Sequence, residues 1–334
     1  MIVGSLPKPE WLAEPRQLRA PWKLQGDELL AGQDDATTVA VHQQELAGMM
    51  IVTDGEQRRQ HYISHFCQSL PAFDYSRLVD KVTRGGKYPA KVPTVVEKVR
   101  WTEPVLLRDL AFTTSQASWP VKITIPGPMT IADTAHAEAY RDEEELIMDL
   151  AAAVNEEAKA LAALQPGVIQ IDEPAFNAEP DRAGAIGILA LNRAVQDLPV
   201  ATAVHICYGY GTEIVLNWKR TNTAWGQYEQ LLPLLAESQV AILSLEFAAP
   251  KLDPAVLELA GTKRIAFGCV DVSPDPPEPV EAVADRLRAA LKYVPPERLF
   301  PSTDCGMAPL DRKLALEKMV VLGQAAALVG QELG

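Results

Sequence analysis

Short apolar runs recur along the chain, and each has the length of one β-strand. The runs are continuous rather than alternating, which is typical of a parallel sheet covered on both faces. They predict eight strands: Ile2–Ser5, Met50–Asp54, Val121–Pro126, Val168–Asp172, Ala201–Cys207, Ala241–Phe247, Arg264–Val270 and Leu299–Asp304.

Amphipathic segments of helix length separate most of these runs. The clearest is Asp142–Leu164, where acidic residues fill the first turn and apolar residues recur every three or four positions. Four further helices are predicted at Asp35–Met49, Trp225–Glu237, Pro279–Tyr293 and Leu310–Leu328. Eight strand–helix units predict an α/β fold, a (β/α)8 TIM barrel that forms a single domain over residues 1–334. An open doubly wound sheet is the alternative, although no GxGxxG motif follows an early strand.

One stretch does not fit the alternation of strands and helices. Lys81–Arg100 is rich in glycine, proline and β-branched residues and carries both charges. It predicts an excursion over one end of the barrel, with a hairpin as its expected form.

Composition narrows the range of partners. The formal net charge of −13 disfavours nucleic acid and anionic membranes, because both require a basic surface. The N-terminus lacks the features of a signal peptide, and no apolar run approaches the ~20 residues that span a bilayer. We therefore predict a cytoplasmic protein. Four cysteines in 334 residues do not make a disulfide scaffold, so core packing, metal binding or nucleophilic chemistry is expected of them.

Candidate metal ligands follow several of the predicted strands. His205 and Cys207 are two positions apart, so their side chains share one side of a strand, and Cys305 follows the last strand. Sulfur and imidazole ligands at strand ends favour a catalytic zinc site over buried core residues. Glu246 is expected as a fourth ligand or as a carboxylate that orients the histidine. Cys269 is a substitute third sulfur, although a packed core thiol is the favoured interpretation.

Acidic residues form a second group at the predicted mouth. Glu56, Asp172 and Asp271 each follow an apolar run, where carboxylates bind a ligand's ammonium group or carry out acid–base chemistry. Structural ion pairing is the alternative for each of them. His61 and His65 have a spacing that could bind metal on a helix, but no HExxH motif surrounds them, so flanking the entrance is favoured.

Seven motifs in order resemble the catalytic domain of the cobalamin-independent methionine synthase family. VGSLP resembles the family's GSFP, and VTDGEQRRQHYISHF resembles its HGExxRxDMVxxF segment. ITIPGPMT and VIQIDEPAF are similar to TGPVT and IQIDEPAL. HICYG, LSLEF and PSTDCGM are similar to HMCY, ISIE and NPDCGL. The resemblance covers nearly the whole chain.

This resemblance implies a (β/α)8 barrel, bound Zn²⁺ and methyl transfer to the thiol of homocysteine, which gives methionine. The zinc ligands it implies are His205, Cys207, Glu246 and Cys305. For homocysteine it implies Ser5 at the carboxylate, with Glu56 and Asp172 at the amino group. Catalytic roles are predicted for Glu246, which would leave the metal as the thiolate arrives, and for Asp271, which is kept in the donor segment.

Two departures from the family pattern concern the methyl donor. The segment VDVSPD has Ser273 near the place of the family's histidine, which assists a folate leaving group. The tryptophan expected soon after the TGPVT-like motif is also missing. We therefore expect a methylcorrinoid or other non-folate donor in preference to methyltetrahydrofolate. The alternatives are a folate-dependent methionine synthase, an alkyltransferase acting on another thiol, as in coenzyme M chemistry, and a non-catalytic homocysteine- or methionine-binding protein.

Overall fold

The structure, a computed structural model, describes residues 1–86, 88–210, 212–222 and 224–334. Its strands are β1 (Phe73–Thr83), β2 (Tyr88–Val95), β3 (Lys122–Pro126), β4 (Val168–Asp172), β5 (Thr202–Ile206), β6 (Ile242–Glu246), β7 (Arg264–Val270) and β8 (Leu299–Thr303). Strands β3 to β8 pair in chain order as one parallel sheet, and β1 and β2 form a separate antiparallel pair.

Helices connect the strands and surround the sheet. They are α1 (Gly26–Leu46), α2 (Tyr62–Cys67), α3 (Leu107–Gln116), α4 (Pro128–Asp133), α5 (Glu143–Ala162), α6 (Ala175–Ala178), α7 (Pro180–Arg182), α8 (Ile188–Ala194), α9 (Glu213–Thr221), α10 (Gln227–Ala236), α11 (Val280–Ala290) and α12 (Arg312–Leu333). Short π- and 3₁₀-helical turns lie at Ala183–Gly187, Pro254–Ala260 and Pro296–Arg298.

Two irregular segments complete the ring between β8 and β3. The predicted strands Ile2–Ser5 and Met50–Asp54 are not regular strands, which corrects that expectation. Val52 nevertheless bridges in parallel to Val121, next to β3. Thr53 Oγ1 donates to the Gly4 carbonyl at 2.8 Å, and the Val3 amide donates to Thr303 Oγ1 of β8 at 3.1 Å. Hydrogen bonds to and from side-chain hydroxyls thus replace some of the backbone hydrogen bonds of a regular sheet. With these two segments beside β3 to β8, the predicted barrel is confirmed.

The predicted helices are confirmed with shifted ends. The helix predicted at Asp142–Leu164 is α5, where the Asp142 carboxylate accepts from the Glu144 and Glu145 amides as an N-cap. The helix predicted at Asp35–Met49 begins earlier, at Gly26, and ends at Leu46.

The predicted excursion is a hairpin with different bounds. Strands β1 and β2 cover residues 73–95, so the first strand begins before Lys81 and the second ends before Arg100. Register shifts between Asp74 and Leu78 break the alternation of polar and apolar positions, which hid the first strand in the sequence. Lys87 lies in the predicted excursion but outside the described residues.

Side chains at alternate strand positions fill the interior of the barrel. Small apolar residues form one cluster there: Val168, Ala203, Ile242 and Ala266. From the start of β3, the buried Lys122 ammonium donates to Gln170 Oε1 in the middle of β4, and Gln170 Nε2 donates to Asp172 Oδ1 at the end of β4. The interior therefore becomes polar towards the carboxyl ends of the strands, where barrel enzymes keep their chemistry.

One described helix, α12, is long and apolar enough to cross a membrane when judged by length and composition alone. In the structure it packs against α1, α11, β7 and β8. The packing of α12 in the outer layer of the barrel therefore explains its apolar face.

Candidate active site

Two cysteines and a histidine meet at the carboxyl end of the barrel. His205 lies at the end of β5, Cys207 follows that strand, and Cys305 follows β8. One ligand atom from each, a ring nitrogen and two sulfurs, lie within 4.8 Å of one another, and all three residues are buried. Among the described residues, this is the one group of three or more such side chains that could hold a metal ion.

The two sulfurs share a hydrogen bond. Cys207 Sγ and Cys305 Sγ are 3.3 Å apart. This bond lowers the pKa of the Cys207 thiol well below its ordinary value, with help from the charge of His205, and it raises the pKa of Cys305. The hydrogen bond therefore favours the thiolate form of Cys207, which is the form that binds a metal ion.

The imidazole of His205 is oriented for metal binding. Its Nδ1 lies 3.0 Å from Ser244 Oγ on the neighbouring strand β6. Its Nε2 is buried, and the charge and hydrogen bond of Cys207 raise the pKa of His205 against the effect of burial. Metal-binding histidines usually use one ring nitrogen for an outer partner and leave the other for the ion. One imidazole and two thiols are also a donor set that suits zinc, so the residues fit that ion.

Glu246 lies beside this group but outside it. At the end of β6, one carboxylate oxygen pairs with Lys219 Nζ of α9, and the other accepts from the Tyr208 amide at 2.8 Å. Burial raises the pKa of Glu246 to about 7, against the opposing charge of Lys219. The predicted fourth ligand is therefore near the sulfurs, with both of its oxygens held by other groups.

The remaining metal candidates lie outside the His–Cys–Cys group. Cys269 is buried in β7, and its thiol donates to the Ser302 carbonyl, which agrees with a core thiol. His61 lines the cavity described below, and burial lowers its pKa to about 3 and that of His65 to about 4. Asp271 is not among the residues that line that cavity. Its carboxylate accepts a hydrogen bond from the Ser273 amide in the same loop. The predicted catalytic role of Asp271 stays a prediction.

A cavity of about 320 Å³ opens above the three residues. Its lining includes His205, Cys207 and Cys305 together with the predicted homocysteine contacts, which are Ser5, Glu56 and Asp172. The volume is typical of a small-molecule site. The structure thus brings the two groups of predicted residues to one cavity from five separate parts of the chain.

Glu56 and Asp172 form an electrostatically incomplete pair. Burial raises the pKa of Glu56 to about 7, opposed by Arg59 and increased further by Asp172. Burial also raises the pKa of Asp172 to about 6, opposed by His205 and by the Gln170 hydrogen bond. Two buried carboxylates gain from a cation between them, because it offsets their desolvation and their mutual repulsion. A ligand ammonium group meets that requirement.

The backbone at Glu56 is strained. Glu56 has a φ of 55° and follows Gly55, whose φ is 61°. A left-handed glutamate is uncommon, and such strain is concentrated at functional sites. The Glu56 amide donates to Asp54 Oδ1 at 3.0 Å, and Asp54 is itself held by Arg59. This network fixes the Glu56 carboxylate at the cavity wall.

Ser5 approaches the Cys305 loop closely. A Cβ atom on Gly306 would lie 2.2 Å from Ser5 Oγ, so only glycine fits at that position. The Met307 amide also donates to the Ser5 carbonyl at 2.8 Å. The first segment of the chain and the loop after β8 are thus held together at the cavity.

Sequence reasoning missed several residues of the site. The hairpin contributes Arg84 and Tyr88 to the cavity wall, and Arg84 also pairs with Asp133 at 2.9 Å. The sequence predicted an excursion over one end of the barrel, but it did not predict that Arg84 and Tyr88 would line a cavity there. Ser244 could have been found, since it lies two positions before Glu246 and so faces the interior. Lys219 could not have been found, because it lies on α9 and the pattern of strand motifs does not place helix residues in the site.

The chain is similar to known proteins over nearly its whole length. A family model described as "Cobalamin-independent synthase, Catalytic domain" matches residues 1–328. The methionine synthase of Sulfurisphaera tokodaii is 31% identical over 333 residues, which cover 99% of this chain and 92% of the relative. The methionine synthase of Pyrococcus horikoshii is 32% identical over 334 residues, covering 99% and 93%. The chain belongs to the cobalamin-independent methionine synthase family.

A solved member of this family has the same fold throughout. The B12-independent methionine synthase from Shewanella sp. W3-18-1, determined in complex with selenomethionine, is 44% identical to this chain. The two superpose with a TM-score of 0.97, covering 99% of this chain and 97% of that one. The likeness therefore extends over the barrel, the hairpin and the cavity.

Membership in the cobalamin-independent methionine synthase family fixes the reaction class. The protein is a homocysteine methyltransferase that forms methionine from homocysteine and a methyl donor. The expected acceptor is thereby confirmed. The alternatives of a non-catalytic binding protein and of an alkyltransferase for another thiol are set aside.

Proposed function

We propose that this methyltransferase is zinc-dependent and that His205, Cys207 and Cys305 hold the ion. The observation that carries the proposal is the buried group of one His205 ring nitrogen and two sulfurs, which lie within 4.8 Å of one another. Bound zinc would lower the pKa of the homocysteine thiol from its usual ~8.5, so that a thiolate forms at neutral pH. Glu246 is proposed as a further ligand that engages only part of the time.

The amino-acid part of homocysteine is proposed to lie between the sulfurs and the first segment of the chain. Glu56 and Asp172 would bind the ammonium group, since both are buried carboxylates that line the cavity and an ammonium between them would offset the burial that raises their pKa values. Ser5 would donate to the carboxylate from the opposite wall. This orientation directs the thiol towards Cys207 and Cys305, and the Shewanella relative's selenomethionine supports an amino-acid subsite in the family.

The corrinoid donor expected from the sequence is not supported. The matching family is described as cobalamin-independent, and the solved relative as B12-independent. The cavity of about 320 Å³ suits a small molecule, and the hairpin residues Arg84 and Tyr88 line its wall. We therefore propose a reduced-folate methyl donor, despite the missing histidine and tryptophan.

The donor assignment predicts a clear preference. The zinc-loaded enzyme with homocysteine should form methionine faster from methyltetrahydrofolate than from methylcobalamin, because the matching family is described as cobalamin-independent. Methionine is measured by mass spectrometry over equal times, with Cys207→Ser as the control for uncatalysed transfer. Turnover with methylcobalamin and none with the folate would contradict the assignment.

The enzyme is also proposed to work in the cytoplasm. Cys207 and Cys305 carry free thiols with their sulfurs only 3.3 Å apart. A reducing compartment keeps such a pair available as metal ligands, whereas an oxidising one favours disulfide formation.

A further inference from the structure

A buried hydrogen-bonded bridge, the Thr124 bridge, leads from Arg59 through Thr124 to Glu56. Arg59 Nη1 donates to Thr124 Oγ1 at 2.9 Å, and Thr124 Oγ1 donates to Glu56 Oε1 at 3.1 Å. Because an arginine side chain has only donors, the Thr124 oxygen accepts from Arg59 and its hydroxyl hydrogen is left for Glu56. A Cβ atom on Gly4 would lie 3.0 Å from the same Glu56 oxygen, so that oxygen is enclosed in the wall.

A second bridge, the Gln170 bridge, leads from Lys122 through Gln170 to Asp172 and has the same polarity. Lys122 Nζ donates to Gln170 Oε1 at 2.7 Å. Gln170 Nε2 donates to Asp172 Oδ1 at 2.8 Å and to the Val3 carbonyl at 3.0 Å. A reversed amide would place its NH₂ group against the Lys122 donor and its oxygen against two other acceptors. Lys122 therefore fixes the orientation in which Gln170 donates to Asp172.

The bridging side chains lie behind the cavity wall. Four of them are buried in the barrel interior: Arg59, Thr124, Lys122 and Gln170. None of the four is among the described residues that line the cavity, whereas Glu56 and Asp172 both line it. Neither bridge contains a proposed zinc ligand. Thr124 and Gln170 can therefore act on a bound ligand only through the two carboxylates.

We propose that Thr124 and Gln170 are positioning residues for the amino group of homocysteine, each fixing one oxygen of a carboxylate so that the second oxygen meets the ammonium group. This inference rests on the proposed ammonium site. A carboxylate that is held from behind keeps its orientation in the empty cavity, so less side-chain freedom is lost when the ligand binds. The two bridges thus prepare Glu56 and Asp172 for a cation before it arrives.

Each basic side chain also has a partner outside its bridge. Arg59 Nη1 donates to the Thr124 backbone carbonyl at 2.9 Å. Lys122 Nζ donates to the Ile2 carbonyl at 2.7 Å. Loss of the Thr124 hydroxyl or of the Gln170 amide therefore leaves neither basic group without a partner, which limits the cost to the fold. The bridges can be broken one at a time.

The test uses two thiols that differ in the amino group. L-homocysteine and 4-mercaptobutanoate, which has the thiol and the carboxylate but no amino group, are titrated by calorimetry into zinc-loaded full-length protein. The variants are Thr124→Val, which removes the hydroxyl at similar size, Thr124→Ser, which keeps it, and Gln170→Met, which removes the amide at similar length.

Thr124→Val and Gln170→Met should each lose selectivity for the amino group. Homocysteine should bind about tenfold or more weakly, the scale for one hydrogen bond to a charged group, while 4-mercaptobutanoate binds within about twofold of the unchanged protein. Thr124→Ser should resemble the unchanged protein with both thiols.

Double variants separate positioning from a general loss of folding. Thr124→Val/Glu56→Gln should bind homocysteine about as well as Glu56→Gln alone, because Thr124 acts through Glu56. Gln170→Met/Asp172→Asn should likewise match Asp172→Asn. The two bridges begin on different strands, so either one decides the inference if a variant of the other does not fold.

The outcomes distinguish this inference from the proposed function. Equal weakening of both thiols, or fully additive losses in the double variants, would show a structural role only and overturn the inference. If the unchanged protein prefers homocysteine and both single variants keep that preference, the ammonium site stands and only the inference is overturned. If the unchanged protein binds the two thiols equally, the ammonium site is wrong and the inference falls with it.

Discussion

Cys207→Ser and Cys305→Ser should each cost the enzyme most of its zinc. A serine hydroxyl is a far poorer zinc ligand than a thiolate, and each change leaves only two of the three residues whose ligand atoms lie within 4.8 Å. The loss of zinc affinity should exceed the ~10–100-fold loss that is typical when a group hydrogen-bonded to a metal ligand is removed. Zinc per chain is measured by elemental analysis after gel filtration, and the expected value for the unchanged protein is about one.

Two other cysteines provide matched controls for this experiment. Cys269 donates to the Ser302 carbonyl in β7, and Cys67 is buried in α2. Cys269→Ser and Cys67→Ser should therefore keep their zinc. Full zinc retention in both Cys207→Ser and Cys305→Ser would refute the site. Retention in Cys305→Ser together with loss in Cys269→Ser would identify Cys269 as the third sulfur.

Glu56→Gln and Asp172→Asn should each weaken homocysteine binding strongly and leave zinc in place. Removing one charged partner of a buried ammonium typically costs about 2–5 kcal/mol, which is roughly 30-fold or more in Kd. The affinity for L-homocysteine is measured by calorimetry on zinc-loaded protein. Normal binding in both variants would show that the amino-acid subsite lies elsewhere.

The same changes should not destabilise the fold. Burial raises the pKa of Glu56 to about 7 from an ordinary 4.5, so the folded protein loses stability as pH rises between these values. Glu56→Gln removes the ionisation that causes this loss of stability. The midpoint temperature of unfolding near pH 7.5 should therefore be equal to or higher than that of the unchanged protein. Glu157→Gln is the contrasting control, because its carboxylate accepts from Trp101, Val105 and Leu106. That variant should lose stability and keep its homocysteine affinity.

Most of the barrel and the central residues of the site could be predicted from the sequence. Six predicted strands are regular strands, because continuous apolar runs are what a doubly covered parallel sheet requires. The segments 2–5 and 50–54 were predicted as strands for the same reason. There, hydroxyl hydrogen bonds from Thr53 and to Thr303 replace ladder bonds, a substitution that no apolar pattern records.

Site residues could be predicted where the position on a strand alone determines which face of the barrel the side chain lies on. His205, Cys207 and Cys305 came together because the carboxyl ends of parallel strands share one face. Glu246 was placed on the right strand, but its partner Lys219 comes from α9, which no strand pattern locates. The hairpin was expected too late in the chain because Asp74 and Leu78 lie in an irregular part of its first strand.

We propose that this enzyme binds the homocysteine thiol directly to a zinc ion held by His205, Cys207 and Cys305. Zinc-edge X-ray absorption of the loaded protein, with and without L-selenohomocysteine, tests it most directly. The account predicts two sulfur ligands at about 2.3 Å without the amino acid. With it, one zinc–selenium contact should appear while both sulfurs remain. Zinc with no sulfur ligands, or a spectrum without selenium after saturation, would contradict it.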